Sequence, residues 1–151
     1  MSGSTLRPLR QLILAVQYAV SATGKPSRAQ FRRWVRAALD HDARITIRVL
    51  GQAEGRTLNR EFRNKDYATN VLTFVFHDQA PFEGDLALCA PVVAREARAQ
   101  KKTLTAHYAH LTVHGVLHLQ GYDHENDADA QVMEHRETQI MAKLGYADPY
   151  C

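Results

Sequence analysis

Residues 114–124 read HGVLHLQGYDH, and this stretch sets where a helix runs, where it ends and where the chain turns back. His114 and His118 are four residues apart, so on an α-helix their rings lie on one face about one turn from each other. Gly121 can adopt the left-handed conformation that ends a helix, and the next residues then carry His124 back over that face. The pattern predicts three imidazoles around one centre at the end of a long helix.

Three neutral imidazoles are typical ligands of zinc, and they leave one tetrahedral position open. An open position is typical of a catalytic zinc, whereas a structural zinc is normally closed by four protein ligands. We therefore predict one Zn²⁺ per chain, held by His114, His118 and His124. Two alternatives remain open. Nickel, copper or iron could occupy the same nitrogens, and His110, four residues before His114, could belong to a shifted set that loses the loop ligand.

The spacing HxxxHxxGxxH also matches the longer zinc signature of the metzincin proteases, but one residue excludes that class. Those enzymes carry a glutamate after the first histidine, and this glutamate is the general base of peptide hydrolysis. Gly115 stands at that position here and cannot accept a proton. The motif therefore predicts a metal-dependent hydrolase that acts on something other than a peptide and moves its proton by another route.

The elements upstream and downstream of this motif indicate the fold class. The two-residue apolar period and β-forming residues predict strands at residues 9–20, 45–50, 71–76 and 85–89. A capping box at Ser27 and Gln30 and the helical spacing of apolar residues predict helices at residues 27–39, 55–63, 91–101, 104–120 and 127–144. In the last helix the apolar residues are Val132, Ile140, Met141 and Leu144. We predict an α+β fold with a mixed sheet of about four strands packed with about five helices.

Size and composition predict a single domain over residues 1–151. Apolar residues make up 45% of the chain, which excludes wholesale disorder. The longest apolar stretch, residues 12–20, is too short to cross a bilayer, and no small-residue cleavage site follows it, so we expect neither a membrane span nor a secretory signal. These absences predict a cytoplasmic protein. Cys89 and Cys151 have no ligand-like spacing and are predicted to be free thiols.

Charge is divided unevenly along the chain, although the net charge is only +3. Residues 1–65 hold 13 Lys and Arg against 4 Asp and Glu, whereas residues 66–151 hold 6 against 12. A basic half joined to a half with a metal site suits a polyanion that is held by one part and cut by the other. Solvated helix faces would leave the same pattern. The first predicted helix carries arginines that could meet RNA phosphates: Arg28, Arg32, Arg33 and Arg36.

Three separated blocks, in order, resemble the YbeY family of bacterial rRNA maturation factors. They are residues 58–74, LNREFRNKDYATNVLTF, then Gly84 and Asp85, then the three-histidine motif. The resemblance implies a metal-dependent endoribonuclease, specific for single strands, that acts in rRNA processing, particularly at the 16S rRNA 3′ end, and in ribosome biogenesis and quality control. It also implies single-stranded RNA or rRNA and ribosomal small-subunit proteins as partners, with neither DNA nor a membrane.

Carried over by position, His114, His118 and His124 resemble the zinc ligands of that family, and Arg63 falls at the arginine of its first block. Beside a metal cleft, Arg63 would be catalytic because it would steady the scissile phosphate and the charge that grows there. The ordinary interpretation is a surface salt bridge. Asn70 stands where many relatives would have Asp or Asn, and we assign it no catalytic role.

Two other functions and several mechanistic details stay open. A non-catalytic ribosome assembly factor with a structural zinc would use the same histidines, and so would a hydrolase of small phosphorylated or amide substrates. The nucleophile could be water or the RNA 2′-hydroxyl. Asp123 and Glu125 flank His124 and could orient that ring or accept a proton, and orienting a histidine is the commoner role.

Overall fold

Four strands and five helices make up residues 10–151, the part of the chain that this computed structural model describes. The strands are β1 (Leu12–Tyr18), β2 (Ala43–Leu50), β3 (Val71–His77) and β4 (Phe82–Cys89). The helices are α1 (Arg28–Ala38), α2 (Gln52–Arg63), α3 (Ala90–Ala99), α4 (Leu104–Leu119) and α5 (Asp127–Leu144). The predicted α+β class and the order of the elements are confirmed.

The strands form one mixed sheet in the order β1-β2-β4-β3. β1 pairs with β2 and β2 with β4 in parallel, whereas β3 runs antiparallel to β4. β3 therefore lies at an edge of the sheet. Its pairing is irregular near its end, because Val75 lies opposite Gly84 while His77 lies opposite Glu83, which leaves Phe76 as the extra residue of a bulge.

The two faces of the sheet are covered unequally. On one face α4 packs against β3 and β4 and also contacts α1, α3 and α5, which encloses the main core. On the other face α2 packs against β4, and a smaller apolar cluster lies there: Leu50, Ala68, Leu72, Ala87, Cys89 and Val92. Consecutive β4 residues belong to different clusters because side chains alternate across a strand. The helix with the histidine motif is thus the central helix of the main core.

Gly115 lets α4 approach the sheet closely. A Cβ atom at this position would lie 2.6 Å from Cδ2 of Leu86, which is fully buried on β4. Position 115 therefore faces the sheet, and a side chain there would require Leu86 to move. Gly115, which excludes the protease class, is therefore also needed for this helix to pack on the sheet.

The structure differs from the predicted elements in several bounds and in one apolar residue of the last helix. α2 begins three residues earlier than predicted, at Gln52, and β4 begins at Phe82 instead of residue 85. The prediction for Val132 was wrong, because its side chain is 61% exposed and the neighbouring Met133 is buried in its place. The first residue of the predicted first strand, Leu9, lies outside the described residues, as do residues 1–8, where the segment considered as a secretory signal begins.

The two cysteines confirm the predicted free thiols. Cys89 is buried at the end of β4, Cys151 is exposed, and no disulfide joins them. Among residues 10–151, every helix is too short or too polar to span a lipid bilayer.

Candidate functional site

The end of α4 turns the chain back as the sequence predicts. Gly121 has φ +100°, a left-handed value that favours glycine. The amide of Gly121 donates to the carbonyl of His118 at 3.1 Å, and the amide of Tyr122 donates to that of Leu117 at 3.1 Å. These two bonds form a Schellman motif, which satisfies the last carbonyls of the helix. The turn brings His124 beside the two helical histidines.

The rings of His114, His118 and His124 gather at one place. Their centres are 6.4 Å apart for His114 and His118, 5.6 Å for His114 and His124, and 5.8 Å for His118 and His124. Imidazoles bound to one zinc would have centres roughly 5 Å apart. The rings are nearly parallel, within 25° of one another. Within residues 10–151, no group of three or more His, Cys, Asp and Glu side chains is already arranged to hold a metal ion.

Two of the three rings are fixed by hydrogen bonds at Nδ1. His114 Nδ1 lies 3.2 Å from Oε1 of Glu137, and His118 Nδ1 lies 2.9 Å from the carbonyl oxygen of Tyr122. Because both partners are acceptors, each Nδ1 carries the proton and donates it. In the neutral ring, Nε2 then holds the lone pair. Such a partner at the second nitrogen is typical of histidines that bind metals through Nε2.

Glu137 is a fully buried carboxylate on α5 that accepts several hydrogen bonds. Its Oε1 accepts from His110 Nε2 at 2.7 Å and from His114 at 3.2 Å, and Tyr150 donates its hydroxyl proton at 3.0 Å. Burial alone would raise the pKa of Glu137, but the hydrogen bonds from His110 and His114 outweigh burial and lower this pKa to about 2. Glu137 is therefore a buried carboxylate anion that ties α4, α5 and the C-terminal residues together.

His110 takes part in this network and lies to one side of the gathered rings. Its ring packs edge-on against Tyr150, with centres 5.3 Å apart, and stands at 73° to the ring of His114. Burial, and then the nearby Glu137 carboxylate, raise the pKa of Tyr150, which keeps its hydroxyl a donor. The geometry gives His110 a supporting role and does not favour the shifted set of ligands.

Arg63 lies beside the histidines although 51 residues separate it from His114 in sequence. It is the last residue of α2, and it lines a cavity of about 590 Å³ together with all three rings. The rest of that cavity is formed by Phe62 and by β3 residues 71–76 along the free edge of the strand. Arg63 is exposed and forms no ion pair with any acidic side chain of residues 10–151, so the surface salt bridge is absent from the described structure.

The other polar residues considered in the sequence have structural partners. Asp123 accepts the backbone amide of His124 at 2.7 Å, which holds the loop, whereas Glu125 is exposed. Asn70 donates to Glu96 and accepts from the amide of Val71. These contacts support an orienting role for Asp123 and none in chemistry for Asn70. Three further histidines are exposed and lie away from this cavity: His41, His77 and His135.

Three of the four arginines of α1 each form one hydrogen bond within the fold. Arg28 donates to the carbonyl of Val16, Arg33 to that of Leu144, and Arg36 to that of Arg10. These bonds tie α1 to its neighbours, and the side chains of Arg28, Arg32, Arg33 and Arg36 are all exposed.

Sequence reasoning missed Glu137 and the aromatic residues of the cavity. A signal for Glu137 exists, since it lies four residues after Met133 and three before Ile140 and so falls on the buried stripe of α5. A charged residue on a core-facing stripe needs a buried partner. Which partner it meets depends on how α5 packs on α4, and this packing is not visible in the local pattern.

Comparisons with known proteins cover most of this chain. The family model described as Endoribonuclease YbeY matches residues 17–145. An "Endoribonuclease YbeY" of Nitrosomonas europaea is 57% identical over 141 residues, which cover 93% of this chain and 86% of that relative. One of Nitrosomonas eutropha is 60% identical over 137 residues, covering 91% and 97%. The solution structure of TM1509 from Thermotoga maritima, at 22% identity, covers 91% of this chain and 98% of its own with a TM-score of 0.57, and thus shares the fold.

Proposed function

We propose a reaction for this chain from one established premise, which is that the chain belongs to the endoribonuclease YbeY family. It is therefore a hydrolytic nuclease. The proposed reaction is zinc-dependent cleavage inside a single RNA strand, in the processing of ribosomal RNA at the 16S 3′ end and in ribosome biogenesis and quality control. One observation carries the proposal: Arg63 and the rings of His114, His118 and His124 line the same cavity.

The donor set fits a zinc ion. His114 and His118 each donate from Nδ1 to a fixed acceptor, which leaves Nε2 of the neutral ring as the nitrogen that can bind a metal. His124 is exposed on a loop and can adjust its ring to complete the set. The nearly parallel rings need to turn toward a common point when the ion binds. When bound, zinc supplies Lewis-acid charge and activates the attacking hydroxyl group, whether of water or of the RNA.

Arg63 is proposed as the catalytic residue that holds the scissile phosphate. A guanidinium group presents five donors in a planar fork that matches two phosphate oxygens. Arg63 can offer this fork because no acidic side chain of residues 10–151 occupies it. Donors aimed at developing negative charge stabilise the transition state more than the ground state, and this difference accelerates the reaction.

The family membership favours this nuclease over a non-catalytic assembly factor with a structural zinc. We further propose that residues 1–151 act as one domain in the cytoplasm. The expected partners are single-stranded RNA, rRNA and proteins of the small ribosomal subunit. RNA would approach along the α2 end and the β3 edge, since Arg63 and residues 71–76 border the cavity there.

The experiment that tests the proposal is metal-dependent cleavage of defined RNAs. Chelated protein is titrated with zinc and incubated with single-stranded and duplex forms of a 16S 3′-end sequence. We expect cleavage of the single strand to return as one zinc per chain binds, and we expect His118→Ala to lose both zinc and cleavage. His135→Ala serves as the control, because His135 is exposed on α5 outside the cavity. Cleavage that persists in chelator or in His118→Ala would contradict the proposal.

A further inference from the structure

A second cavity adjoins the histidine cavity on the sheet face that α2 covers in part. Its volume is about 250 Å³, enough for one planar base of a nucleic acid. Its lining combines apolar and aromatic side chains, from Leu58, Phe62, Phe74, Phe76, Leu86 and Ala87, with polar ones, from Gln17, Thr46, Arg48, Glu54 and Asp85. The reaction proposed above uses none of these polar groups.

Two of the three phenylalanines in this lining are unusually exposed for such large side chains. Phe62 is 64% exposed and Phe76 68% exposed, and Phe74 packs edge-on against Phe62 with ring centres 5.2 Å apart. Single apolar residues on a surface are ordinary, but a cluster of adjacent exposed rings marks a binding site. Phe76 is also the extra residue of the β3 bulge, and bulges near active sites redirect a side chain.

The aromatic cluster connects the two cavities. Phe62, Phe74 and Phe76 line the cavity that holds Arg63 and the histidines, and the same three residues line the second cavity. Phe62 directly precedes Arg63 at the end of α2. A strand whose phosphate lies at Arg63 would therefore place a neighbouring base beside these rings. Proteins that bind unpaired strands commonly stack bases on exposed aromatic side chains.

One charged group of this lining has no partner within residues 10–151. Asp85 forms no side-chain hydrogen bond or ion pair within residues 10–151, whereas Arg48 is bound by Glu54 through two hydrogen bonds. A carboxylate accepts a hydrogen bond from the amino group of cytosine and from comparable groups of other bases. Uracil carries no amino group and offers only its ring N3–H, so the amino group is the donor that distinguishes cytosine from uracil here.

We propose that the cavity bordered by Phe62, Phe74 and Phe76 binds one unpaired base next to the scissile phosphate, with Asp85 accepting from its amino group. This inference rests on the proposed nuclease function and adds a base-binding subsite to it. Stacking holds the base and so fixes the strand in the histidine cavity. The requirement for an extruded base also explains a preference for single strands, because a duplex keeps its bases paired.

The test pairs protein variants with RNAs that each lack one base. A set of single-stranded oligonucleotides carries one abasic site at successive positions around the cleavage site, and binding and cleavage are both measured. With wild type, we expect one position at which base removal weakens binding about five- to 150-fold. Phe76→Leu should weaken binding of the intact RNA by a similar factor. With the RNA that is abasic at that position, Phe76→Leu should cause little further loss of binding. Phe76→Tyr, which keeps the ring, should retain wild-type binding.

Two further variants separate base binding from a general effect of changing the protein surface. Val132→Ala removes an equally exposed apolar side chain on α5, away from both cavities, and should bind RNA as wild type does. Asp85→Asn should reduce the preference for cytosine over uracil at the sensitive position. Thermal unfolding confirms that each variant is folded.

The outcomes distinguish the subsite from the nuclease function. Equal binding of the intact RNA by wild type, Phe76→Leu and Phe62→Leu would overturn the subsite. Absence of wild-type cleavage would overturn the proposed function, and the binding measurements would still decide the subsite. Additive losses from Phe76→Leu and the abasic site would also overturn it, because they would show that the ring and the base act independently.

Discussion

The carboxylate of Glu137 accepts a hydrogen bond of 3.2 Å from Nδ1 of His114, and this bond sets which nitrogen of the ring faces the cavity. Glu137 is fully buried on α5 and also accepts from His110 and Tyr150. A carboxylate behind a histidine fixes the tautomer and the direction of the ring and raises the basicity of the other nitrogen. Glu137, on the buried face of α5, therefore orients a ring that lines the cavity.

Replacing Glu137 by Gln should weaken zinc binding about 10- to 100-fold, because the neutral amide orients His114 less firmly. The metal-free protein should lose about 1–3 kcal/mol of stability, since buried donors on His110 and Tyr150 lose part of their partner. Competition with a chromophoric chelator measures the affinity, and urea unfolding measures the stability. Glu134→Gln, an exposed change on the same helix, is the control. Unchanged zinc affinity in Glu137→Gln would show that His114 needs no such support.

Gly121→Ala should cost about 1–2 kcal/mol, because φ +100° is strained for any residue with a Cβ. It should also weaken zinc binding, because the turn at Gly121 positions two groups of the site. These are the Tyr122 carbonyl, which accepts a hydrogen bond from His118, and the ring of His124. Gly145→Ala is a matched control, because it ends α5 at φ +91° with the same open surroundings. Both variants should lose similar stability, and only Gly121→Ala should lose zinc affinity. Equal zinc affinity in the two variants would contradict this role of the turn.

The helical part of the site could be predicted from sequence because it is local. The spacing of His114 and His118 and the glycine after them fix a helix face, a helix end and a reversal within eleven residues. The Glu137 contact could not be predicted, because it joins residues 23 apart whose helices meet only through tertiary packing. Arg63 was predicted as a site residue from the resemblance to a family, because no local sequence pattern connects it with the histidines.

Stability should fall as the pH drops below about 6.5, in part because of His107. Burial lowers the pKa of His107, although its hydrogen bond to Glu96 opposes the shift. The folded protein therefore binds fewer protons at His107 than the unfolded protein does. The free energy of unfolding has its full value above pH about 6.5, and it decreases as the pH falls through the lowered pKa of His107. Urea unfolding in chelator from pH 8 to about 5 should show a shallower slope in His107→Gln than in wild type. The exposed change His135→Gln should leave the slope unaltered, and an unaltered slope in His107→Gln would contradict the assignment.

The aromatic cluster shows a second limit of the sequence. The alternating apolar pattern of residues 71–76 predicts a strand, and the structure confirms β3 there. The pattern does not predict that this strand lies at an edge or that a bulge at Phe76 interrupts its pairing. Both features depend on β4, which follows β3 and joins it to the sheet. The exposed rings beside the histidines are therefore a product of topology.

The most direct test of the central claim is cleavage of single-stranded RNA by zinc-loaded Arg63→Ala, measured beside wild type with the zinc content of each preparation determined. Arg63 lines the histidine cavity without an acidic partner in residues 10–151, so its removal should spare the metal and the fold. We predict a loss of about 100- to 1000-fold in cleavage rate, with one zinc per chain and an unchanged unfolding temperature. Cleavage at the wild-type rate by fully loaded Arg63→Ala would contradict the claim that this cavity is where RNA is cut.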